Sequence, residues 1–233
     1  AESQIIAAIE ELTTERPIQY IIGATEFYGS SFEVDENVLI PRQETEELVD
    51  WIIEEVGERS GREGKPIRIV DIGCGSGCIA ISLAKHLKNS VVTALDISEN
   101  ALAITRRNAD RNGVNLQTLQ ADVLTLEALP DTYDIIVSNP PYVRESERKE
   151  IQRNVLDFEP HLALFVSDEN PLVFYKKITQ LALQSLSEGG VLFFEINQYL
   201  PSKMRTLIEG FFGLRMILRN DLFGNARMVK VAN

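Results

Sequence analysis

Cysteine and histidine are scarce in this sequence of 233 residues, which contains two of each. Cys74 and Cys78 lie four positions apart in one glycine-rich stretch, so we expect packing roles, no disulfide framework and a reducing compartment. His86 and His161 are far apart in the chain, and these four residues do not make up a zinc ligand set. The apolar runs are far shorter than the roughly 18 residues that cross a membrane. These absences predict a cytoplasmic protein with no metal and no membrane partner.

Positive charge is also in short supply. Lysine and arginine number 23 against 35 aspartate and glutamate residues, which gives a formal net charge of −12, and the acidic excess is spread along the chain. Proteins that bind duplex nucleic acid normally carry a basic face that displaces counterions from the phosphates. The charge therefore argues against nucleic acid as a partner, and a basic groove confined to one surface remains compatible with this total.

The alternation of strand-like and helical patterns indicates how the chain is organised. Residues 1–23 begin without methionine and carry an amphipathic helical pattern, which we interpret as the end of a removed segment. Residues 24–41 are predicted to form a hairpin that turns at Gly29. From residue 66, the patterns predict a doubly wound, mostly parallel α/β sheet. The predicted strands are 67–70, 91–95, 116–120, 135–138, 191–196, 214–218 and 228–231, and the predicted helices are 77–87, 99–112, 172–186 and 201–209.

A glycine-rich turn follows the first of these strands. It contains Asp71, Ile72, Gly73, Cys74 and Gly75. Its glycines permit a tight turn and a close approach of the backbone to a ligand, ahead of a helix N-terminus that favours negative charge. The dinucleotide-binding fingerprint requires a small residue where Cys78 stands, so a nicotinamide site fits poorly. The carboxylate of Asp71 instead suits the ammonium group of an amino-acid-like ligand.

Two further aspartates follow the next two strands. Asp96 ends the second strand, where its carboxylate can accept both hydroxyls of a ribose. Asp122 follows the third strand, where its side chain or the backbone of Val123 can meet an adenine. Ligands of open α/β sheets bind at the carboxyl ends of the strands. A ribose, an adenine and an amino-acid head together predict S-adenosylmethionine as the cofactor and S-adenosylhomocysteine as its product.

The most specific motif is Asn139-Pro140-Pro141-Tyr142, directly after the fourth predicted strand. The Asn139 side chain and the Pro140 carbonyl offer two acceptors for an NH₂ group, and the prolines supply no competing N–H donors. Tyr142 can stack on a planar substrate. Holding both hydrogens returns electron density to the nitrogen and aligns it with a methyl group, so no histidine base is required. The motif therefore predicts methyl transfer to a planar nitrogen, with Asn139, Pro140 and Tyr142 as catalytic residues and Pro141 beside them.

The Asn-Pro-Pro-Tyr element is shared by methyltransferases that act on planar nitrogens, including adenine-specific DNA enzymes and protein glutamine methyltransferases. Three segments ahead of it resemble the bacterial release-factor glutamine methyltransferases, the PrmC/HemK family: Arg-Pro-Ile-Gln-Tyr-Ile-Ile-Gly at 16–23, Phe-Tyr-Gly at 27–29 and Val-Leu-Ile-Pro-Arg-Gln-Glu-Thr-Glu at 38–46. Phe-Glu-Pro-His-Leu-Ala-Leu at 158–164 resembles the same family. The similarity covers nearly all of residues 16–231.

This resemblance implies a class I S-adenosylmethionine-dependent methyltransferase fold with a seven-stranded sheet. It implies methylation of the side-chain amide nitrogen, N5, of the glutamine in the Gly-Gly-Gln motif of peptide chain release factors. The implied organisation is a remnant of an N-terminal docking domain and linker at 1–23, a hairpin segment at 24–41 and a catalytic domain at 42–233. By position, Asp71–Gly75, Asp96, Val123 and Asn139 would meet the cofactor, and Asn139–Tyr142 would hold the glutamine. We expect a monomer.

The sequence departs from this family at a few positions. Gln43 stands where proline is usual, Cys74 where threonine is frequent, and residues 195–197 lack a common glycine. None of these changes removes a group that the mechanism uses. Arg42 and Glu44 either close over the active site or simply begin a helix, and His161 is expected to be structural. Adenine methylation in nucleic acid is the alternative function, which the net charge and the lack of an evident target-recognition domain disfavour.

Overall fold

Residues 2–57 form three helices and a small hairpin in the computed structural model, which describes residues 2–57 and 64–232. These elements are α1 (Glu2–Thr13), α2 (Ile18–Ile22), β1 (Ala24–Phe27), β2 (Ser30–Glu33) and α3 (Gln43–Gly57). Tyr28 and Gly29 form the turn, with φ of 46° and 69°. The predicted hairpin is therefore confirmed, although its regular strands stop at Glu33 and residues 34–41 continue without them.

The hairpin and α3 share one hydrophobic core with the rest of the protein. Phe27 and Phe32 are fully buried and meet edge to face, with ring centroids 6.0 Å apart. They belong to the same cluster as Leu48 of α3 and Phe193. The amphipathic pattern of α1 also forms the expected helix, but its apolar residues are exposed: Ile5, Ile6, Ile9 and Leu12.

A seven-stranded sheet forms the centre of the protein. Its strands are β3 (Ile67–Ile72), β4 (Ser90–Asp96), β5 (Gln117–Gln120), β6 (Tyr133–Ser138), β9 (Leu186–Glu195), β10 (Arg215–Asn220) and β11 (Ala226–Ala232). Their order across the sheet is β10-β11-β9-β6-β3-β4-β5. The strands from β9 to β5 are parallel, and β11 and β10 extend that edge in antiparallel fashion. The predicted doubly wound, mostly parallel sheet is confirmed.

Helices cover both faces of this sheet. They are α3, α4 (Cys78–His86) and α5 (Glu99–Asn112) on one face and α8 (Val173–Ser185) and α9 (Pro201–Glu209) on the other. Alternate strand residues face opposite layers, so Ile135 packs with α3, α4 and α5, and Ile136 packs with α8 and α9. Burial on both faces explains the continuous apolar runs of the central strands. Among the described residues, no helix combines the length and apolar character needed to cross a membrane.

After β6 the chain makes a long polar excursion, residues 141–170, that folds into several short elements. They are β7 (Val143–Arg144), a 3₁₀ helix (Glu145–Glu150), α6 (Arg153–Phe158), α7 (His161–Leu164) and β8 (Phe165–Val166). Glu147 accepts hydrogen bonds from Arg144 and from Asn197, at 2.9 and 3.0 Å. This buried carboxylate joins the excursion to the segment that follows β9.

Gly77 marks the point where the glycine-rich turn meets α4 and packs against α5. Its φ is 79°, and a Cβ atom there would lie 2.8 Å from Cγ2 of Thr105. Thr105 in turn donates its hydroxyl hydrogen to the carbonyl of Gly75 at 2.9 Å. The turn can approach α5 this closely because Gly77 has no side chain.

We predict that Gly77→Ala lowers the free energy of unfolding more than Gly113→Ala does. Both glycines have positive φ, 79° and 67°, so each alanine introduces backbone strain of about 1 kcal/mol. Only the methyl group at position 77 also collides with a neighbour, which costs about 1–3 kcal/mol more. Urea titration of both variants measures the difference. Equal losses would show that the contact with Thr105 relaxes freely.

Candidate active site

A cavity of about 410 Å³ lies at the carboxyl ends of the parallel strands, within the size range of small-ligand sites. Ten of the predicted site residues line it: Ile72, Gly73, Cys74, Gly75, Asp96, Asp122, Val123, Asn139, Pro140 and Pro141. Two others, Asp71 and Tyr142, are not among the lining residues. The fold thus brings the glycine-rich turn and the catalytic loop, Asn139–Tyr142, to one cavity.

Asp96 anchors the glycine-rich turn to β4. Its Oδ2 accepts from the N–H of Gly75 and its Oδ1 from the N–H of Ser98, both at 2.9 Å. The N–H groups of Gly73 and Cys74 donate to the carbonyl of Leu95, at 2.8 and 3.0 Å. The N–H groups of Gly73, Cys74 and Gly75 are therefore engaged within the protein, and a ligand contacts this turn mainly through its shape. The Asp96 carboxylate lines the cavity and keeps acceptor capacity, which suits the hydroxyls of a ribose.

Asp71 lies behind the turn and is fully buried. Its Oδ2 accepts from the N–H of Ala80 in the first turn of α4, at 3.2 Å. Within the described residues, Oδ1 has no hydrogen-bond partner. Burial raises the pKa of Asp71 to about 7, with a smaller contribution from Asp96. A buried carboxylate oxygen that lacks a donor fits an ammonium group met through water.

Asn139 is held by Thr45, a residue of the motif at 38–46 that was not predicted to belong to the site. Its Nδ2 donates to Oγ1 of Thr45 at 3.3 Å, and Thr45 donates its hydroxyl hydrogen to Glu195 at 2.6 Å. The side-chain nitrogen of Asn139 is therefore engaged, and its carbonyl oxygen is left for a ligand. The adjacent Pro140 presents a backbone carbonyl without an N–H group of its own.

Tyr142 points its hydroxyl group into the same network. It donates to Oε1 of Glu195 at 2.9 Å, and burial is the main cause that raises the pKa of both groups. Its ring is partly buried and packs against the core cluster on the α8 side of the sheet. Stacking of Tyr142 on a substrate therefore stays a prediction.

Comparison with known proteins identifies the family. Residues 57–160 match the family model described as "Methyltransferase small domain". The chain is 53% identical over 221 residues to the release factor glutamine methyltransferase of Flavobacterium psychrophilum, a match that covers 95% of this chain and 77% of that protein. The protein of the same name from Bacteroides thetaiotaomicron is 48% identical over 224 residues, with coverage of 95% and 77%. The chain belongs to the release factor glutamine methyltransferase family.

Solved structures show how widely this methyltransferase fold is shared. The catalytic domain of hMettl16, solved in complex with MAT2A 3'UTR hairpin 6, superposes with a TM-score of 0.67 at 16% identity, covering 91% of this chain and 80% of that one. The ribosomal protein L11 methylase of Lactobacillus delbrueckii subsp. bulgaricus gives 0.55 at 19% identity, with 83% and 80% coverage. These likenesses confirm the class I S-adenosylmethionine-dependent fold that the resemblance implied.

Arg42 reaches the rim of the methyltransferase cavity, whereas Glu44 and His161 do not. Arg42 forms an ion pair with the buried Glu159 at 2.5 Å, and Glu159 also accepts from the N–H of Ile40 at 3.1 Å. Glu44 lies in the first turn of α3. His161 contacts the carbonyl of Leu156 at 2.8 Å, and its structural role stays a prediction. Arg42 therefore connects the segment before α3 with the excursion above the cavity.

We predict that the stability of the methyltransferase depends on the ionisation of Asp71. Its pKa of about 7 in the folded protein exceeds the ordinary value of 3.8, so the folded state binds the proton more tightly. Its contribution is complete below pH 4 and is lost as the pH rises through 7, with a total on the order of 4 kcal/mol.

Urea titrations between pH 4 and 8 compare the wild type with Asp71→Asn, which cannot ionise. The free energy of unfolding of the wild type should fall with rising pH relative to that of the variant. Asp110→Asn, on the exposed face of α5, serves as the control and should run parallel to the wild type. Parallel profiles for all three proteins would refute the assignment.

Proposed function

We propose that this protein transfers a methyl group from S-adenosylmethionine to the side-chain amide nitrogen, N5, of the glutamine in the Gly-Gly-Gln motif of peptide chain release factors. The observation that carries the proposal is the presence of Asn139 and Pro140 on the wall of the same cavity as Gly75 and Asp96. A cofactor held by the turn and a planar NH₂ group held by the catalytic loop can meet there. Relatives at 53% and 48% identity are named for this reaction, which supports release factors as the protein substrate.

Residues of the cavity fit two parts of S-adenosylmethionine: Asp96 would accept the ribose hydroxyls, and Asp122 and the backbone of Val123 would meet the adenine. Asp71 lies behind the cavity wall, and its unpartnered oxygen would reach the ammonium group through water. When bound, the cofactor supplies an electrophilic methyl group on a sulfonium centre. S-adenosylhomocysteine is the product that remains.

Asn139 and Pro140 prepare the substrate nitrogen for attack. An amide nitrogen is a poor nucleophile because its lone pair is delocalised into the carbonyl group. The side-chain oxygen of Asn139 and the carbonyl of Pro140 each accept a hydrogen bond from one of the two N–H groups. These hydrogen bonds fix the position of the nitrogen and favour electron density on it. The nitrogen loses one proton to a neighbouring acceptor or to water after its new bond to carbon forms, so no histidine base is needed.

Methylation of adenine in nucleic acid is the weaker candidate. The Asn-Pro-Pro-Tyr loop is chemically suited to any planar NH₂ group, and the likeness to an RNA-bound domain extends to the fold alone. A net charge of −12 disfavours a phosphate backbone as the partner. A protein substrate has no such requirement for a basic face.

We further propose that the enzyme acts as a cytoplasmic monomer without a metal.

We predict that the protein incorporates labelled methyl groups from S-adenosylmethionine into a full-length release factor. Incorporation should disappear when the glutamine of the Gly-Gly-Gln motif is replaced by alanine, because that residue carries the reacting nitrogen. Duplex DNA and structured RNA are the controls for the alternative substrate. Two results would contradict the proposal: labelling of nucleic acid at a rate similar to that of the release factor, or labelling of the release-factor variant that carries alanine.

We predict that Asn139→Ala lowers kcat by roughly 10²–10³-fold, the usual effect of losing one group that stabilises the transition state. The Kd for S-adenosylmethionine should change little, because the cofactor is held mainly by the residues around Asp96. Calorimetry measures the Kd, and methyl incorporation measures kcat. Asn89→Ala is the control, since Asn89 is exposed and precedes β4 at the opposite edge of the sheet. Unchanged turnover in Asn139→Ala would remove it from the mechanism.

A further inference from the structure

Glu195 ends β9 as a carboxylate that is only 1% exposed and is not among the residues that line the cavity. Its Oε2 accepts from the hydroxyl of Thr45 at 2.6 Å, and its Oε1 accepts from the hydroxyl of Tyr142 at 2.9 Å. The hydroxyl of Tyr175 donates to its backbone carbonyl at 3.0 Å. A buried acid is costly unless its lone pairs are used, and here both side-chain oxygens have donors.

The hydroxyl group of Thr45 links Glu195 to Asn139 and has a fixed donor and acceptor role in this chain of hydrogen bonds. It carries a single hydrogen, which it donates to Glu195, so it can only accept from Nδ2 of Asn139 at 3.3 Å. The Asn139 amide has two orientations that exchange its nitrogen and its oxygen. An acceptor on the Thr45 side selects the orientation in which the nitrogen faces Thr45 and the oxygen faces away from it.

The catalytic loop depends on such side-chain anchors. Pro140 and Pro141 lack N–H groups, so the middle of the loop cannot be anchored by backbone donors of its own. Glu195 secures Asn139 through Thr45 at one end of the loop and Tyr142 at the other end. Nδ2 of Asn197 adds a hydrogen bond to the backbone carbonyl of Tyr142 at 3.0 Å.

We propose that Glu195 and Thr45 are positioning residues, which orient the Asn139 side chain so that its oxygen accepts a hydrogen from the substrate NH₂ group. The inference rests on the proposed function, in which Asn139 holds the glutamine amide. With the opposite orientation, the nitrogen of Asn139 would face the substrate nitrogen, and two donors would meet. A buried acid without a place on the cavity wall thereby controls turnover.

The first test compares Thr45→Val, which keeps the shape and removes the hydroxyl group, with Thr45→Ser, which keeps the hydroxyl group. Thr45→Val should lower kcat by roughly 10–100-fold, as small losses of alignment do, and change the KM for the release factor and the Kd for S-adenosylmethionine less than about threefold. Thr45→Ser should retain most of the activity. Thr179→Val is the matched control, because the buried Thr179 hydroxyl donates only to the carbonyl of Tyr175 within α8, at 2.7 Å.

The second test removes the buried acid. Glu195→Gln keeps one oxygen and replaces the other by an NH₂ group, which cannot accept, so either Thr45 or Tyr142 loses its acceptor. This variant should lower kcat with little change in the Kd for S-adenosylmethionine. Tyr142→Phe breaks only the second arm and separates the two contributions. Thermal melting of every variant confirms that it is folded.

The outcomes separate the two proposals. If the wild type does not methylate a release factor, the proposed function itself fails. If the wild type is active and Thr45→Val has the kcat of Thr179→Val, the positioning role is overturned, whatever Glu195→Gln does. Loss of kcat in Thr45→Val with recovery in Thr45→Ser supports it.

Discussion

The pairing of β6 between β3 and β9 is the constraint on which the site depends. In the parallel register, Asp71 lies opposite Val137, and Ser138 lies opposite Phe194. The hydroxyl of Ser138 also donates to the carbonyl of Ile72 at 2.6 Å. Directly after these paired residues, the glycine-rich turn follows β3, the loop of Asn139–Tyr142 follows β6, and Glu195 ends β9. The three features therefore lie side by side. A slip of one residue in this register would turn every side chain of β6 to the other face.

Much of this arrangement could be predicted from the sequence, because the central strands are apolar on both faces and the helices have a clear period. Ser98 accepts from the N–H of Ala101 as an N-cap, and Gly113 ends α5 in the left-handed conformation, as their residue types indicate. The start of β9 was not predicted correctly. The strand begins at Leu186, five residues earlier than predicted, in a stretch of serine, glutamate and glycine. Pairing of Leu186 with Tyr133 decides this strand start, and no local pattern reveals it.

Apart from Arg42, the residues of the candidate site were predicted where they lie at or just after the end of a strand. Thr45 and Glu195 were missed because their roles arise from contacts across 150 positions of the chain. Thr45 lies in the motif at 38–46, which carries the family resemblance but suggests no role for this residue, and Glu195 lies in a segment noted only for a missing glycine. Asp71 was named, but its full burial behind the turn follows from the packing of α4 on β3. Local patterns identify candidate groups, and tertiary packing decides which of them line the cavity.

The two sides of the cavity are held by different kinds of contact. The glycine-rich turn is anchored through backbone N–H groups to Leu95 and Asp96, so its position does not depend on its side chains. Cysteine at position 74 adds only a weak hydrogen bond, with its Sγ 3.5 Å from Oγ1 of Thr105. The catalytic loop has consecutive prolines and is anchored through side chains instead. Variation at Thr45 or Glu195 changes an anchor directly, whereas variation at Cys74 does not. The chemistry of the loop thus explains what a buried acid contributes in return for its desolvation.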